Sequence, residues 1–422
     1  MQVLGKRISW PGQIFRGLLI GALTGVVIAF FSTVILFSTN LNKSYPLLIL
    51  FIPIGAVATY YLYKTFGPTY RNSTVAAIDD INEYGHKEKN LAHSQVPDEI
   101  CPKMGLVALI ATAITHITGA SGGKEGAGVQ IGLACASCIE KGEAFINERL
   151  KRDHDNRSDY YMMCGAASAF GALFSAPIAG VLFGTQLASP KTTRLDAYLP
   201  CTISSFTAVF VSKVCGVHIL SIPSFESLTF TFSNSVLAIV FAFFLGLYAR
   251  LFCYLLHMLK HFFQKHFKRE VMKVLAPALC LLVASIITYL IFGTFRYNGL
   301  GGDLLYNIIE GNANDIDDLI KLIMVAFTFA AGFAGGEVVP LLIIGAGFGL
   351  TFANIFSLTP APWAVLGAVG MLSGGTNLPL VCFALGLELF GYSEPAILFL
   401  VSSIAFISSG KSGIYAHQIK PY

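Results

Sequence analysis

An acidic residue marks the start of an apolar, glycine-rich stretch. Glu125 belongs to the sequence GGKEGAGVQIG, which covers residues 122–132. Acids inside apolar membrane segments are rare and usually functional. The first turn of a helix has unpaired N–H groups and a partial positive charge, so it is suited to binding anions. A carboxylate there can occupy the place of an anion, and protonation removes its charge and releases it. Glu125 is therefore a candidate both to gate anions and to carry protons.

Other groups in the sequence suggest metal chemistry only weakly. The pair Asp79-Asp80 resembles part of a metal–diphosphate acid cluster, and His257 and His261 have the i, i+4 spacing of two ligands on one helix face. Each group lacks the further ligands that such a site requires. We therefore predict no enzyme activity, no cofactor and no metal site. A membrane enzyme is the alternative, and it would be favoured if the reconstituted protein consumed an organic substrate.

The composition indicates that lipid covers part of the protein. The chain has 422 residues, of which 55% are hydrophobic and 12% are charged, whereas a soluble domain has about 45–50% apolar and about 25% charged residues. A spanning helix needs about 20 apolar residues. Glycine and proline interrupt several of the long apolar runs, and interrupted helices at membrane depth indicate a substrate path. The runs cover residues 13–38, 46–65, 160–188, 198–220, 235–258, 272–293, 319–334, 338–358, 364–391 and 396–410.

The positive charges predict how the chain is oriented. Basic residues cluster at positions 6–7, 151–152 and 260–273. Short loops rich in lysine and arginine stay on the cytoplasmic side, so we predict a cytoplasmic N-terminus and a cytoplasmic segment at 257–273. The net charge of +4 is not spread over a groove-sized face, and no nucleic-acid partner is predicted.

The sequence contains an internal repeat. Residues 165–187 and 367–389 share five identities at one offset of 202 residues (367 minus 165). A second pair of stretches, 119–136 and 332–349, each has a Gly-Gly turn followed by an apolar segment that contains glycine. Duplicated halves, often inverted, are the usual build of secondary transporters, with the substrate at their interface. The five shared positions are Gly165, Ala166, Pro177, Gly184 and Leu187.

The stretch around Glu125 resembles a signature of the CLC family of chloride channels and transporters, G-[RK]-E-G-x-x-V-Q-x-G. Residues 336–340, Gly-Glu-Val-Val-Pro, resemble the second anion-site motif of the family, G-x-[FV]-x-P. The resemblance covers about residues 105–422 well and the first hundred residues weakly. It implies that Glu125 is the gating glutamate. It also implies anion-binding positions within the two motifs, at Gly123, Gly126 and Val338.

The same resemblance implies an architecture and an assembly. The expected fold is an all-α polytopic membrane protein with about 18 helices of uneven length and tilt, arranged as an inverted repeat. We place the first half-repeat at residues 1–220 and the second at 221–422, and we expect no soluble regulatory domain. The expected assembly is a homodimer with one pore in each subunit, surrounded by lipid in the bacterial inner membrane.

Three further motifs resemble the bacterial fluoride/proton antiporters of this family. The first is GGEVVPL at residues 335–341, where chloride members usually have an apolar residue in place of Glu337. The second is GGTNLPL at 374–380, followed by GLE, and the third is SGKSGIY at 409–415. Four residues of these motifs are implied to serve the ions, Thr376 and Glu388 along the pathway and Asn377 and Tyr415 as hydrogen-bond donors. If proton coupling did not depend on Glu125, Glu388 would be the next candidate.

Two other positions bear on the choice of ion. Chloride/proton exchangers carry an inner proton glutamate shortly after a P-[IL]-A-G motif, and here Gln186 and Leu187 occupy that stretch. At the first anion motif, Ser73 and Thr74 stand where fluoride members have bulky apolar residues, and either hydroxyl can donate to chloride. The expected substrates are a small anion, fluoride or chloride, and protons. We expect proton-coupled fluoride export, with chloride/proton exchange or a chloride channel as the alternative.

Overall fold

The structure is a computed structural model that describes residues 10–86, 96–150, 158–191, 193–217 and 220–419. In this part of the chain there are sixteen α-helices, three short 3₁₀-helices and no β-strand. The α-helices range from 8 to 35 residues, so the predicted all-α fold of uneven helices is confirmed, with sixteen α-helices where about 18 helices were expected. The basic clusters predicted at 6–7 and 151–152 lie outside the described residues.

The α-helices are α1 (Trp10–Ser44), α2 (Ile52–Phe66), α3 (Ser73–His86), α4 (Pro102–Ile117), α5 (Glu125–Arg149), α6 (Ser158–Phe174), α7 (Pro177–Gln186), α8 (Tyr198–Val214), α9 (Phe232–His266), α10 (Glu270–Phe292), α11 (Gly302–Ile309), α12 (Asp317–Ala330), α13 (Val338–Ile355), α14 (Pro360–Thr376), α15 (Pro379–Glu388) and α16 (Pro395–Ser409).

Six helical segments are long and apolar enough to cross a membrane. Two of the predicted apolar runs, 160–188 and 364–391, are each divided into two helices instead of one. The first helix of each pair ends at a left-handed residue, and a proline begins the second helix, where its missing N–H has no helical partner to lose. The six long segments are Pro11–Ser44, Pro46–Phe66, Leu195–Val214, Phe232–His266, Glu270–Phe292 and Val338–Ile355.

The repeat seen in the sequence is also present in the backbone. Helix α14 begins 202 residues after α6 (360 minus 158) and ends 202 residues after it (376 minus 174). The left-handed residues Ser175 and Asn377 keep this offset (377 minus 175), with φ angles of 53° and 60°. Left-handed residues other than glycine are uncommon, so the match supports two copies of one helical unit. The first helices compared in this way, α1 and α9, both have 35 residues.

Helices of each half approach closely where two glycines face each other. A Cβ atom added to Gly345 of α13 would lie 2.2 Å from the carbonyl oxygen of Gly367 in α14, and one added to Gly367 would lie 2.1 Å from the oxygen of Gly345. Gly132 of α5 and Gly165 of α6 make the same kind of contact at 2.4 and 2.6 Å. Small residues allow membrane helices to pack backbone against backbone, and here they hold α5 and α13 against their neighbours.

We expect Gly345→Ala to destabilise the folded protein by about 1–3 kcal/mol, because the new methyl group must push two helix backbones apart. Gly142→Ala on α5 is the matched control, since nothing lies within 4 Å of a Cβ atom there. That control should be neutral or more stable by up to about 1 kcal/mol, owing to the higher helix propensity of alanine. Thermal unfolding of the purified variants in detergent measures both, and equal midpoints for the two variants would contradict the expected clash.

Candidate functional site

The N-termini of α5 and α13 meet at a pair of glycines. Gly123 N donates to Gly336 O at 2.8 Å, and Gly336 N donates to Gly123 O at 3.0 Å. A Cβ atom on Gly126 would lie 2.4 Å from Gly335 O, so the two turns can approach this closely only because they lack side chains. Each helix begins with unpaired N–H groups and a partial positive charge. The pairing therefore brings two anion-attracting helix ends to one point.

Two threonines secure this junction in a symmetric way. Thr115 Oγ1 donates to Ala334 O at 2.7 Å, and Thr328 Oγ1 accepts a hydrogen bond from Ser121 N at 3.0 Å. The residues correspond at an offset of 213 (328 minus 115, and 334 minus 121), which is also the offset of the paired glycines (336 minus 123). Each half thus supplies a buried hydroxyl to the turn of the other half, which supports a site formed between the repeats.

Glu125 reaches from one helix end to the other. It is the first residue of α5 and is 1% exposed. Its Oε2 atom accepts a hydrogen bond from Val339 N of α13 at 3.4 Å. A Cβ atom on Gly123 would lie 2.2 Å from the same oxygen, so the glycine makes room for the carboxylate. The acid of the first half therefore lies at the helix N-terminus of the second half, in a position that suits an anion.

The residues that precede the two helices have opposite charge. Lys124 is the N-cap of α5 and Glu337 is the N-cap of α13, and they correspond at the offset of 213 (337 minus 124). Glu337 is partly buried and, like Glu125, lies within electrostatic range of Tyr415. The sequence identified Glu337 only as a mark of the fluoride branch. Its presence in GGEVVP, one residue before a helix, was the signal that could have placed it at the site.

Four of the predicted site residues gather at this junction. Gly123, Glu125 and Gly126 belong to the α5 turn, and Val338, which is 4% exposed, begins α13. Tyr415 lies within electrostatic range of Glu125, and its ring packs edge-on against Phe183 at a centroid distance of 6.2 Å. These positions form one continuous group around the helix ends.

The other predicted hydroxyl and amide groups lie at the ends of further helices. Ser73 begins α3 and is buried, and its Oγ atom has no hydrogen-bond partner. Thr74 follows it and is partly buried. Thr376 Oγ1 donates to Leu372 O of its own helix at 2.7 Å. Asn377 follows α14, and its Oδ1 atom is buried without a partner. Ser73 and Asn377 therefore keep free hydrogen-bonding capacity, whereas the hydroxyl of Thr376 is already used.

Glu388 contacts a different helix end. Its two carboxylate oxygens accept hydrogen bonds from Ile178 N at 2.9 Å and Ala179 N at 2.8 Å, at the start of α7. Charged groups at a helix N-terminus are stabilised by the N–H groups and the dipole. The structure therefore gives Glu388 partners of its own on α7, across the interface between the repeats.

The weak metal candidates have other partners. Asp79 lies 2.9 Å from His417 Nδ1, and Asp80 accepts a hydrogen bond from Ser158 Oγ at 2.9 Å. His257 Nδ1 lies 2.7 Å from Cys253 O of its own helix. These contacts are those of surface and capping residues.

Two cavities approach the junction. One of about 930 Å³ is lined by Glu125 and Lys124. The other, of about 620 Å³, is lined by Tyr415, Arg250 and His257. The site therefore has solvent-sized space next to the gating candidate and next to the tyrosine.

Residues 54–410, most of the chain, match the family model described as voltage gated chloride channel. The chain belongs to this family, the CLC family. It is therefore a multi-pass membrane protein of the family that transports anions. Its curated relatives include the chloride/fluoride channel protein of Pseudomonas syringae pv. tomato, 28% identical over 95% of this chain and 84% of the relative. Another is the H(+)/Cl(-) exchange transporter ClcA of Vibrio cholerae, 22% identical over 68% of this chain and 62% of the relative.

Solved CLC structures have the same fold. A CLC-type fluoride/proton antiporter superimposes with a TM-score of 0.86 at 26% identity, and the match covers 98% of this chain and all of that one. A slow cyanobacterial Cl-/H+ antiporter superimposes with a TM-score of 0.71 at 17% identity, covering 96% and 95% of the two chains. Of these two CLC structures, the fluoride/proton antiporter is the more similar, as the motifs predicted.

Proposed function

We propose that this CLC protein exports fluoride in exchange for protons across the bacterial inner membrane, and that Glu125 is its gate. The observation that carries the proposal is the position of the Glu125 carboxylate, buried at the N-terminus of α13 with Val339 N 3.4 Å away. A carboxylate and a small anion compete for the same N–H groups at a helix end. One residue can therefore exclude anions when it is ionised and admit them when it is protonated.

The proposed cycle follows from this competition. Ionised Glu125 occupies the end of α13, and an arriving anion takes its place when a proton neutralises the carboxylate. The released side chain turns toward the cavity of about 930 Å³, which it already lines. Loss of the proton restores the charge, and the carboxylate returns to the helix end as the anion leaves. Anion and proton thus move in opposite directions because they alternate at one group.

A second acid is available on the α13 side. Glu337 precedes α13, whereas the corresponding residue of the first half is Lys124. Both Glu337 and Glu125 lie within electrostatic range of Tyr415, and Tyr415 lines the cavity of about 620 Å³. We place Glu337 on the proton path between Glu125 and this cavity, with Tyr415 as an anion contact.

Fluoride is supported by three features. The motifs around Glu337, Thr376 and Tyr415 resemble the fluoride branch, and the solved fluoride/proton antiporter shares 26% identity with this chain. The ring of Phe183 also meets Tyr415 edge-on, and ring edges carry a partial positive charge. Chloride transport is the second candidate, because the buried Ser73 hydroxyl has no partner and can donate to the larger ion. Thr74, Asn377 and Glu388 stay proposed pathway residues.

The assembly belongs to the same proposal. We infer a homodimer in lipid with one pathway in each subunit, and two half-repeats at residues 1–220 and 221–422. The shared offset of α6 and α14 and the equal lengths of α1 and α9 support the half-repeats.

Proton movement driven by each halide tests the choice of ion. We expect an outward fluoride gradient in proteoliposomes to drive protons inward against their gradient, and an equal chloride gradient to drive little. A pH electrode and an ion-selective electrode measure the two fluxes, with protein-free vesicles as the control. Uphill proton movement driven by chloride and not by fluoride would make the protein a chloride/proton exchanger, and halide flux without proton movement would make it a channel.

A further inference from the structure

The cavity next to Glu125 is also lined by a buried histidine from α4. His116 is 1% exposed, and neither of its ring nitrogens has a hydrogen-bond partner. Buried polar side chains are nearly always hydrogen-bonded in folded proteins. His116 and Glu125 line the same cavity of about 930 Å³, so the ring faces space that solvent or a ligand can enter. A neutral imidazole has one N–H donor and one acceptor nitrogen.

Lys124 brings a positive charge to the same cavity. The hydrogen bond of its Nζ atom is a long one of 3.4 Å to Ser32 Oγ, which also lines the cavity. Lys124 forms no ion pair with any acid in the described part of the chain, although Glu125 is within electrostatic range. An ammonium group has three N–H donors, so most of its capacity remains available to a ligand.

The charges around the cavity sum to a value that suits a monovalent anion. The buried ammonium of Lys321 donates to Tyr297 O and Gly299 O, both at 3.1 Å, and His116 lies within electrostatic range of Lys124 and Lys321. With ionised Glu125, the two lysines leave a net charge of +1. The other charged residues that line the cavity are paired, in two ion pairs of opposite charges, Arg296–Asp317 and Lys43–Asp303.

We propose that His116, Lys124 and Ser32 form a binding site for a small monovalent anion on the cavity side of the gate. The proposal rests on the proposed anion transport and adds a position before the helix end that Glu125 occupies. The ammonium supplies charge, and the imidazole N–H and the Ser32 hydroxyl supply directional hydrogen bonds. An anion held there is the next to reach Val339 N when Glu125 is protonated.

The concentration dependence of transport tests the site. Initial rates of fluoride uptake into proteoliposomes are measured over a range of sodium fluoride concentrations, and again with sodium chloride. We expect His116→Phe to raise KM about three- to tenfold, the worth of one hydrogen bond, and to leave the maximum rate within about twofold. His116→Asn keeps a side-chain donor and should restore most of the affinity. His261→Phe, at an exposed position of α9, is the matched control and should not change KM.

A second pair of variants covers a folding failure of His116→Phe, which size-exclusion chromatography detects. Lys124→Met should raise KM for the same halide, and Lys124→Arg should not. Unchanged KM in both His116→Phe and Lys124→Met, or in Lys124→Met alone if His116→Phe does not fold, would overturn the site.

Failure of the transport proposal gives a different result. In that case the wild-type protein moves neither halide, and calorimetric titration of the purified protein with sodium fluoride and sodium chloride decides the site. Binding that is weakened in Lys124→Met supports the site without transport, and no binding to the wild type overturns it.

Discussion

Replacing Glu125 with glutamine should abolish proton movement while halide flow continues. The amide keeps the shape of the side chain and can still approach Val339 N, but it cannot take up and release a proton. We expect proton flux to fall to the level of protein-free vesicles, and halide flux to become independent of a pH gradient. The measurement is simultaneous recording of proton and halide flux from proteoliposomes that contain the variant.

The matched control for this substitution is Glu140→Gln. Glu140 is another buried acid of α5, 8% exposed, and it lies 15 residues, or about 22 Å, further along the helix. It should retain coupling. If Glu125→Gln also retains coupling, the proposed proton role of Glu125 is wrong, and Glu337→Gln and Glu388→Gln then test the two remaining acids. Since Glu388 has N–H partners of its own at α7, we expect Glu337 to be the more sensitive of the two.

Gly336→Ala should stop transport by forcing the two halves apart at the site. A Cβ atom there would lie 2.4 Å from Gly126 N and 2.9 Å from Glu125 N, and both are backbone atoms that cannot turn away. The methyl group must displace the start of α5, break the reciprocal bonds between Gly123 and Gly336, and move Val339 N from the carboxylate. Displacements of about 1 Å at a reacting site cost on the order of 100-fold in rate, and we expect a halide flux reduced to that extent.

Gly122→Ala is the control within the same loop. Its Cβ atom would meet Phe329 and Thr328 at 3.8 and 3.9 Å, which is ordinary van der Waals contact. This variant should transport at close to the wild-type rate. Both proteins are compared by halide flux at equal amounts of protein that elutes as a single species. Normal flux in Gly336→Ala would show that the glycine contact is not needed for the pathway.

The sequence by itself determined the membrane fold, the repeat and the identity of the gating candidate. Apolar runs of about 20 residues, a Gly-Gly turn and an acid at position 125 are local features, and a helix start depends on the few residues around it. The offset of 202 was readable because two copies of one sequence pattern form the same helices, down to the left-handed positions at Ser175 and Asn377. The division of runs 160–188 and 364–391 was marked by Pro177 and Pro379.

Only the tertiary structure decided which groups meet. Glu125 and Val339 are 214 residues apart in the chain, Glu388 and Ile178 are 210 apart, and His116 gains its setting from α4 and the cavity wall. No local pattern encodes such distances, because they depend on how two packed halves face each other. Side chains from either half complete the helix ends of the other, so their partners appear only when both halves are folded together.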